Sequence, residues 1–448
     1  MKVLIVGNGV SGKSAYEFLL NKGYVVSFAD DNDIETDSNL KDKKYQDRLF
    51  DGLSFIVTSP GVPKSAPIFK YAKQRKIKII CEFELGCSEM PSKTIAVTGT
   101  NGKTTTVKLI NHLLHENKNN VFLGGNVGVP VTKFAAKTTK KDIVILEASS
   151  FQLDWSKNFA PNIAAILNIS ADHLSWHKNM KNYIRSKLKI TKKQTANDYL
   201  ILNADDEILM QNIPKTKAQI FYFSTEKRVV GCYCKNGNIY FNDNLIEKKL
   251  VSAKNIRLVG NHNLSNVLCA CLVVFLLTKS EKFLKNISSY QGESHRIEYV
   301  KTIKGISFFN DSKATNISST LVATKSFSAN INLILGGSDK GYNFDELFAK
   351  LPKNVKNIAV FGQTKQKIAI SAKKFKFKNI YFYDTLKSCT KALYCLSNRG
   401  DIVLLSPACA SFDQFSNYAE RGDVFKKIVE EISFYENAFA EIEKGKKI

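Results

Sequence analysis

The chain has 448 residues, room for about three domains of ordinary size, and its 44% hydrophobic and 24% charged residues are those of a globular protein. The longest apolar run, 267–277, has 11 residues against the ~20 that a membrane helix needs. The N-terminus enters a strand without signal-peptide features, so no membrane span and a cytoplasmic location are the expectation. A net charge of +24 favours anionic ligands, yet only eight of the 65 basic residues are arginines, the lysines are spread along the chain, and no nucleic-acid-binding motif accompanies them. Anionic small substrates, not nucleic acid, are the expected partners, and a monomer is the default state.

Residues 3–15, "VLIVGNGVSGKSA", read as a strand, a G-x-G-x-x-G turn at Gly7–Gly12 and a helix over 12–21. Asp30 and Asp31, after a second strand at 25–29, stand at the spacing of a ribose-binding acid. A third strand at 55–58 ends in Ser59-Pro60-Gly61, and Met90-Pro91-Ser92 reads as a linker. Short apolar strands separated by helical stretches predict a parallel α/β sheet. Taken alone, the Gly7–Gly12 turn suggests a nicotinamide oxidoreductase.

A second α/β unit begins with a strand at 94–98 and continues through strands at 142–147 and 163–168. Residues 231–250 read as a small β excursion turning at Asn236-Gly237, and a helix is expected over about 260–277. A polar, glycine-containing linker at 288–294 leads to a third α/β unit with strands near 331–335, 358–361 and 402–405. The nine cysteines are scattered with no C-x-x-C pair, which reads as reduced thiols in packing roles.

"VTGTNGKTTT", residues 97–106, carries the strongest local chemistry. A strand runs into a glycine-rich turn, and a helix starts at Lys103-Thr104. Backbone N–H groups at such a start cradle phosphate oxygens, the lysine neutralises phosphate charge, and the threonine hydroxyl suits Mg²⁺. The place of the first glycine of the full phosphate-loop pattern holds Val97, so the core Gly99-Thr100-Asn101-Gly102-Lys103-Thr104 is a shorter variant. Glu147 ends a later apolar strand, where a Mg²⁺-binding carboxylate would sit. Asp172, His173 and His177 follow the strand at 163–168, and spacing alone leaves a ligand or a structural role open for the histidines. In the last unit, polar clusters at 310–316, 336–340 and 406–418 each follow a strand, at the carboxyl ends where open α/β sheets bind ligands.

GTNGKTT, ILEASSFQLD, NISADHL, GNHNLSN, ESHRIE, NDSKATN, GGSDKG and LSPACASFDQF occur in the order and spacing of the Mur ligases. The chain resembles that family over essentially its whole length, and NDSKATN with SPACASFDQF is similar to its D-glutamate-adding members. The resemblance implies three α/β domains: a Rossmann-like UDP-sugar domain at 1–91, a central ATP-binding domain at 92–292, and a Rossmann-like amino-acid-binding domain at 293–448. It implies an ATP-dependent ligase that makes an acyl phosphate of UDP-N-acetylmuramoyl-L-alanine and couples it to D-glutamate. Folylpolyglutamate synthases share the loop variant but usually have Gly-Ser after the lysine, where this chain has Thr104-Thr105.

By the same resemblance Gly99, Thr100, Asn101, Gly102, Lys103, Thr104 and Thr105 hold the triphosphate, and Thr104 and Glu147 hold one Mg²⁺. His173 and Lys187, the latter as a carbamate, belong to a second Mg²⁺. Asn263, Asn266, Arg296 and Asp311 resemble nucleotide contacts. Thr315, Lys340, Ser411 and the amide near Tyr418 resemble the D-glutamate site, with Tyr418 standing where the family often has Phe. Asn126 and Lys313 are expected to position carboxylate and phosphate. Val10, Ser11, Asp30, Asp31, Ser59 and Gly61 are expected around the uridine nucleotide, so the first glycine turn serves a diphosphate and not a redox cofactor. His177 gains nothing from the resemblance and is expected at the surface. Ligands split between domains imply closure on binding.

Overall fold

In the computed structural model the first strands are the ones that hydrophobicity and spacing predict. The structure describes residues 1–29, 43–115, 120–256, 258, 260–290, 292–339, 341 and 343–445. Asp30, Asp31 and Lys340 lie outside the described residues. The chain forms two compact units, one of Met1–Asn255 with His262–Ile287 and one of Ile256–Asn261 with Ser288–Ile448.

The first unit holds two sheets. Strands β1 (Lys2–Val6), β2 (Val25–Ala29), β3 (Leu53–Thr58) and β4 (Lys78–Cys81) pair in the order β2-β1-β3-β4, all parallel. β1 is buried on both faces from Val3 to Val6, which explains its unbroken apolar run. The helix Val10–Asn21 follows the first glycine turn with Gly9 at its N-cap. A Cβ at Gly12 would lie 1.9 Å from the Gly7 carbonyl oxygen, so only glycine lets this helix sit so close to the turn.

The second sheet has nine strands: β5 (Lys93–Thr98), β6 (Val121–Gly125), β7 (Ile143–Glu147), β8 (Ile163–Ile166), β9 (Tyr199–Asn203), β10 (Gln219–Ser224), β11 (Gly231–Lys235), β12 (Asn238–Asn242) and β13 (Glu247–Ser252). Their order is β13-β12-β11-β10-β9-β8-β5-β7-β6, parallel from β6 to β11 and antiparallel over the last two pairs. The predicted excursion is the β11–β12 hairpin, with Asn236 at φ 51° and Gly237 at φ 68° making a turn that matches strand twist, and it widens this sheet. β5 has β7 on one side and β8 on the other, a topological switch point. The predicted strand at 163–168 ends two residues early, because Leu167 and Asn168 leave the ladder to meet the loop after β5.

In the second unit β14 (Glu298–Ile303), β15 (Ile306–Asn310), β16 (Ile331–Gly336), β17 (Val355–Phe361), β18 (Ile380–Phe382) and β19 (Ile402–Leu405) pair in the order β14-β15-β19-β16-β17-β18. Only β14 is antiparallel. β19, last in sequence, lies between β15 and β16, and this brings together three loops spread over a hundred residues. The cysteines are all free and mostly buried, as expected of packing thiols. Among the described residues no helix is long and apolar enough to cross a membrane.

Candidate active site

The loop after β5 enters the helix Lys103–His115 at the switch point. It is held from the β8 side: the amides of Thr100 and Asn101 donate to the Asn168 side-chain oxygen at 3.1 and 2.8 Å, and Asn168 returns a bond to the Asn101 carbonyl. Thr100 Oγ1 also lies 3.0 Å from the Tyr183 hydroxyl. Gly102 has φ 83°, and a Cβ there would stand 2.2 Å from Asn266 Oδ1, so the helix Asn261–Thr278 presses Asn266 against the loop. Asn266 in turn contacts Asn263 Oδ1 at 3.4 Å.

Lys103 Nζ donates to the carbonyl oxygens of Gly99 and Thr100, each at 2.9 Å. Burial lowers its pKa against the attraction of Glu147 and Asp172. The Thr104 hydroxyl donates to Glu147 Oε2 at 2.7 Å, and Asn126 Nδ2 donates to Oε1 at 2.7 Å, so both oxygens of this buried carboxylate are fixed. Thr105, next along, is buried in the first turn of the helix.

Lys187 sits in the helix Met180–Leu188, 1% exposed, with Nζ 2.7 Å from the Gly99 carbonyl oxygen. Burial, and next the Lys103 cation, bring its pKa down to about 7, with Asp172 opposing. His173 is half-exposed with φ 51°, packs on the Phe151 ring at 4.8 Å and has Nε2 3.3 Å from Asp172 Oδ2. His177 corrects the expectation of a surface residue: it is 4% exposed, with Nε2 3.0 Å from Ser150 Oγ and its ring stacked on Phe151. The helix Leu174–His177 turns it inward, where burial lowers its pKa.

On the first sheet Ser59 Oγ donates to the Gly7 carbonyl at 3.0 Å, which fastens the loop after β3 to the glycine turn. Gly61 and Ser11 lie on this side at exposed and half-buried positions, and Val10 is 76% exposed at the helix start.

In the second unit Asp311, one residue past β15, is buried. Its Oδ2 accepts from Ser406 Oγ at 2.7 Å and its Oδ1 from the Ile297 amide at 3.2 Å. Burial raises its pKa to about 7, against these bonds and the charge of Arg296. Arg296 itself lies 3.8 Å from Glu293. Lys313 Nζ is 3.1 Å from Glu293 Oε1 and 5.9 Å from the Tyr418 ring centre. The Thr315 amide donates to the Lys313 carbonyl, Ser411 is buried, and Ser312 Oγ donates to the Tyr418 carbonyl at 2.8 Å.

Sequence reasoning missed the residue that joins these loops. Arg421 is 0% exposed; its Nε donates to Ser312 Oγ at 2.9 Å, Nη2 to the Ser312 carbonyl at 2.7 Å, and Nη1 to the carbonyls of Cys409 and Ala410. It also missed Asn168 and Tyr183. An Arg inside an amphipathic helix and an Asn after a strand carry no local signal of such roles.

Fold and loop together define an α/β protein of the phosphate-binding-loop class. Three family models match: the Mur ligase MurD-like N-terminal domain over residues 1–81, the Mur ligase middle domain over 97–274 and the Mur ligase glutamate ligase domain over 295–409. The chain belongs to the Mur ligase family. Among its relatives, the UDP-N-acetylmuramoylalanine--D-glutamate ligase of Caldicellulosiruptor saccharolyticus is 38% identical, over 96% of this chain and 99% of the relative. The protein of the same name from Thermoanaerobacter sp. (strain X514) is 36% identical, over 96% of this chain and 98% of the relative. Two solved structures share the fold. The UDP-N-acetylmuramate-alanine ligase of Thermotoga maritima has a TM-score of 0.57 at 17% identity, over 96% of this chain and 99% of that one. The MurF ligase of Thermotoga maritima in complex with ADP has 0.54 at 19%, over 87% and 91%.

Proposed function

We propose that this chain is an ATP-dependent ligase that joins D-glutamate to the alanyl carboxylate of UDP-N-acetylmuramoyl-L-alanine, giving ADP and phosphate. The observation that carries the ATP half is the fixed Thr104–Glu147–Asn126 cluster beside a loop whose lysine is folded onto its own carbonyls. The choice of substrates is supported by the relatives that bear this activity in their names.

A carboxylate is a poor electrophile, and transfer of the γ-phosphoryl group to it supplies a leaving group. Two anions must then approach, which requires cations and N–H donors around the phosphate. Lys103 and the backbone amides at the start of the helix Lys103–His115 fit that need, and the amine of D-glutamate afterwards displaces phosphate from the acyl carbon. The Asp311–Ser406 pair, Lys313, Thr315 and Ser411 hold the loops at the carboxyl ends of β15 and β19, in the region assigned to nucleotide and D-glutamate. The Gly7–Ser59 turn is assigned to the uridine diphosphate.

The Thr104 hydroxyl and Glu147 carboxylate are hard oxygen donors and fit Mg²⁺. Bound there, Mg²⁺ would neutralise phosphate charge. Lys187 as an ammonium does not fit a cation site. With a pKa brought down to about 7 its free amine is abundant at neutral pH, and attack on CO₂ with loss of a proton gives an anionic carbamate that does fit, together with His173. The carbamate oxygens and His173 would then make up the second donor set.

Phosphate release from ATP, measured with UDP-N-acetylmuramoyl-L-alanine and with or without D-glutamate, tests the proposal. Release that requires both substrates is expected. Release indifferent to D-glutamate, or greater with folates or L-lysine, overturns it.

A further inference from the structure

The helix Met180–Leu188 has two working faces. Tyr183 and Lys187, four residues apart, point to the phosphate loop, where Lys187 meets Gly99 and Tyr183 meets Thr100. Asn182, Arg185, Ser186 and Lys189 follow the same spacing on the other side. They line an open cavity of about 960 Å³ together with Pro63, Lys64 and Ser65 and with Pro214 and Lys215. The proposed reaction uses none of these groups.

Six of the 17 residues lining the cavity are Lys or Arg, and one, Asp154, is acidic. Asp154 is fully occupied: Lys64 Nζ stands 2.8 Å from Oδ2 and Lys189 Nζ 2.9 Å from Oδ1, and both ammonium groups also donate to its backbone carbonyl. Among the described residues no carboxylate pairs with the remaining four, Lys178, Arg185, Lys192 and Lys215. The other wall groups carry no fixed charge, and burial lowers the pKa of the His177 imidazole. An even spread of 65 basic residues over 448 would place about two or three in a wall of this size, so the cluster exceeds the background of a lysine-rich chain.

Four uncompensated cations around a cavity of this size attract a compact anion with several charges, and hydroxyl and amide groups from Ser65, Ser175 and Asn182 add hydrogen-bond donors. Phosphate oxygens match this lining better than a single carboxylate, which one lysine satisfies. We propose that this cavity is a third phosphate site, separate from the loop at 99–104 and from the Gly7–Ser59 turn, that binds a small polyphosphorylated anion. The ligand is the diphosphate or triphosphate group of a free inorganic anion or of a nucleotide.

Calorimetric titration of the full chain with pyrophosphate, triphosphate and ADP tests this, comparing the parent with Lys192→Glu/Lys215→Glu. Both side chains are exposed, and melting curves check that the double variant folds. The parent is expected to bind one more pyrophosphate than the double variant, or to bind it about tenfold more tightly at that site. A Lys103→Ala chain should keep this binding event while weakening at the loop. ADP competing for the same event identifies a nucleotide ligand, and pyrophosphate or triphosphate alone identifies the inorganic anion. Equal stoichiometry and affinity in parent and double variant, loss of all binding in Lys103→Ala, or a signal reproduced by chloride at matched ionic strength overturns the proposal.

Discussion

The ammonium groups of Lys103 and Lys187 converge on one acceptor, the carbonyl oxygen of Gly99, at 2.9 and 2.7 Å. Two cations on one carbonyl repel each other, and after burial this repulsion is what lowers the pKa of Lys187. A carbamate at Lys187 would reverse the sign of that contact.

Lys187→Ala is therefore expected to lose about 10²–10³ in kcat, the order for removing one stabilising group, and to regain part of it with formate or acetate. Carbon-13 NMR of the parent chain in labelled bicarbonate should show a carbamate signal that the variant lacks. Undiminished activity in Lys187→Ala would remove the carbamate from the mechanism.

At Gly102 the left-handed φ and the close approach of Asn266 both exclude a side chain. Gly102→Ala should cost about 1–3 kcal/mol of stability and weaken ATP binding. Restoring space with Asn266→Ala should relieve the clash part but not the backbone part. A Gly102→Ala chain that melts and binds ATP like the parent would show that the loop does not need this conformation.

Asp311 gives a pH signature in the second unit. Its pKa rises from 3.8 to about 7 on folding, so between those values the folded state holds the proton that the unfolded state has lost. Its contribution to stability is accordingly largest below about pH 4 and falls as pH rises to about 7. Asp311→Asn should flatten that part of the curve of melting temperature against pH. A slope unchanged in Asp311→Asn would mean that other groups carry it.

Arg421 has no carboxylate within ion-pair distance among the described residues; three carbonyls and a hydroxyl accept from its charged guanidinium, and burial lowers its pKa to about 10. A lysine keeps the charge but not the fork. Arg421→Lys should raise KM for D-glutamate about tenfold and KM for ATP by less, because the residue joins the loops at 312 and 409–410 and does not touch the one at 99–104. Parallel shifts in both constants would point to general loss of structure.

Much of this was legible locally. Alternation of short apolar strands with helices gave the α/β class, and β2 and β19 fall on the predicted residues, β19 because a strand buried along its whole length reads as an unbroken apolar run. The phosphate loop and the position of Glu147 were equally clear, since both depend on residues within a few positions of a strand end. The first glycine turn was legible as a strand–turn–helix corner and misleading as to redox chemistry, because Gly7–Gly12 encodes a backbone shape and not the ligand.

What the sequence by itself determined is therefore what neighbours along the chain impose: strand and helix periodicity, the glycine turns, and the amino acids offered at strand ends. Tertiary structure alone decided that β19 lies between β15 and β16, that Asn168 braces the loop at 99–104, that His177 is buried and not exposed, and that Arg421 ties two distant loops together. Each depends on which strand pairs with which and on which face a helix turns to the core, and those contacts join residues that share no local pattern.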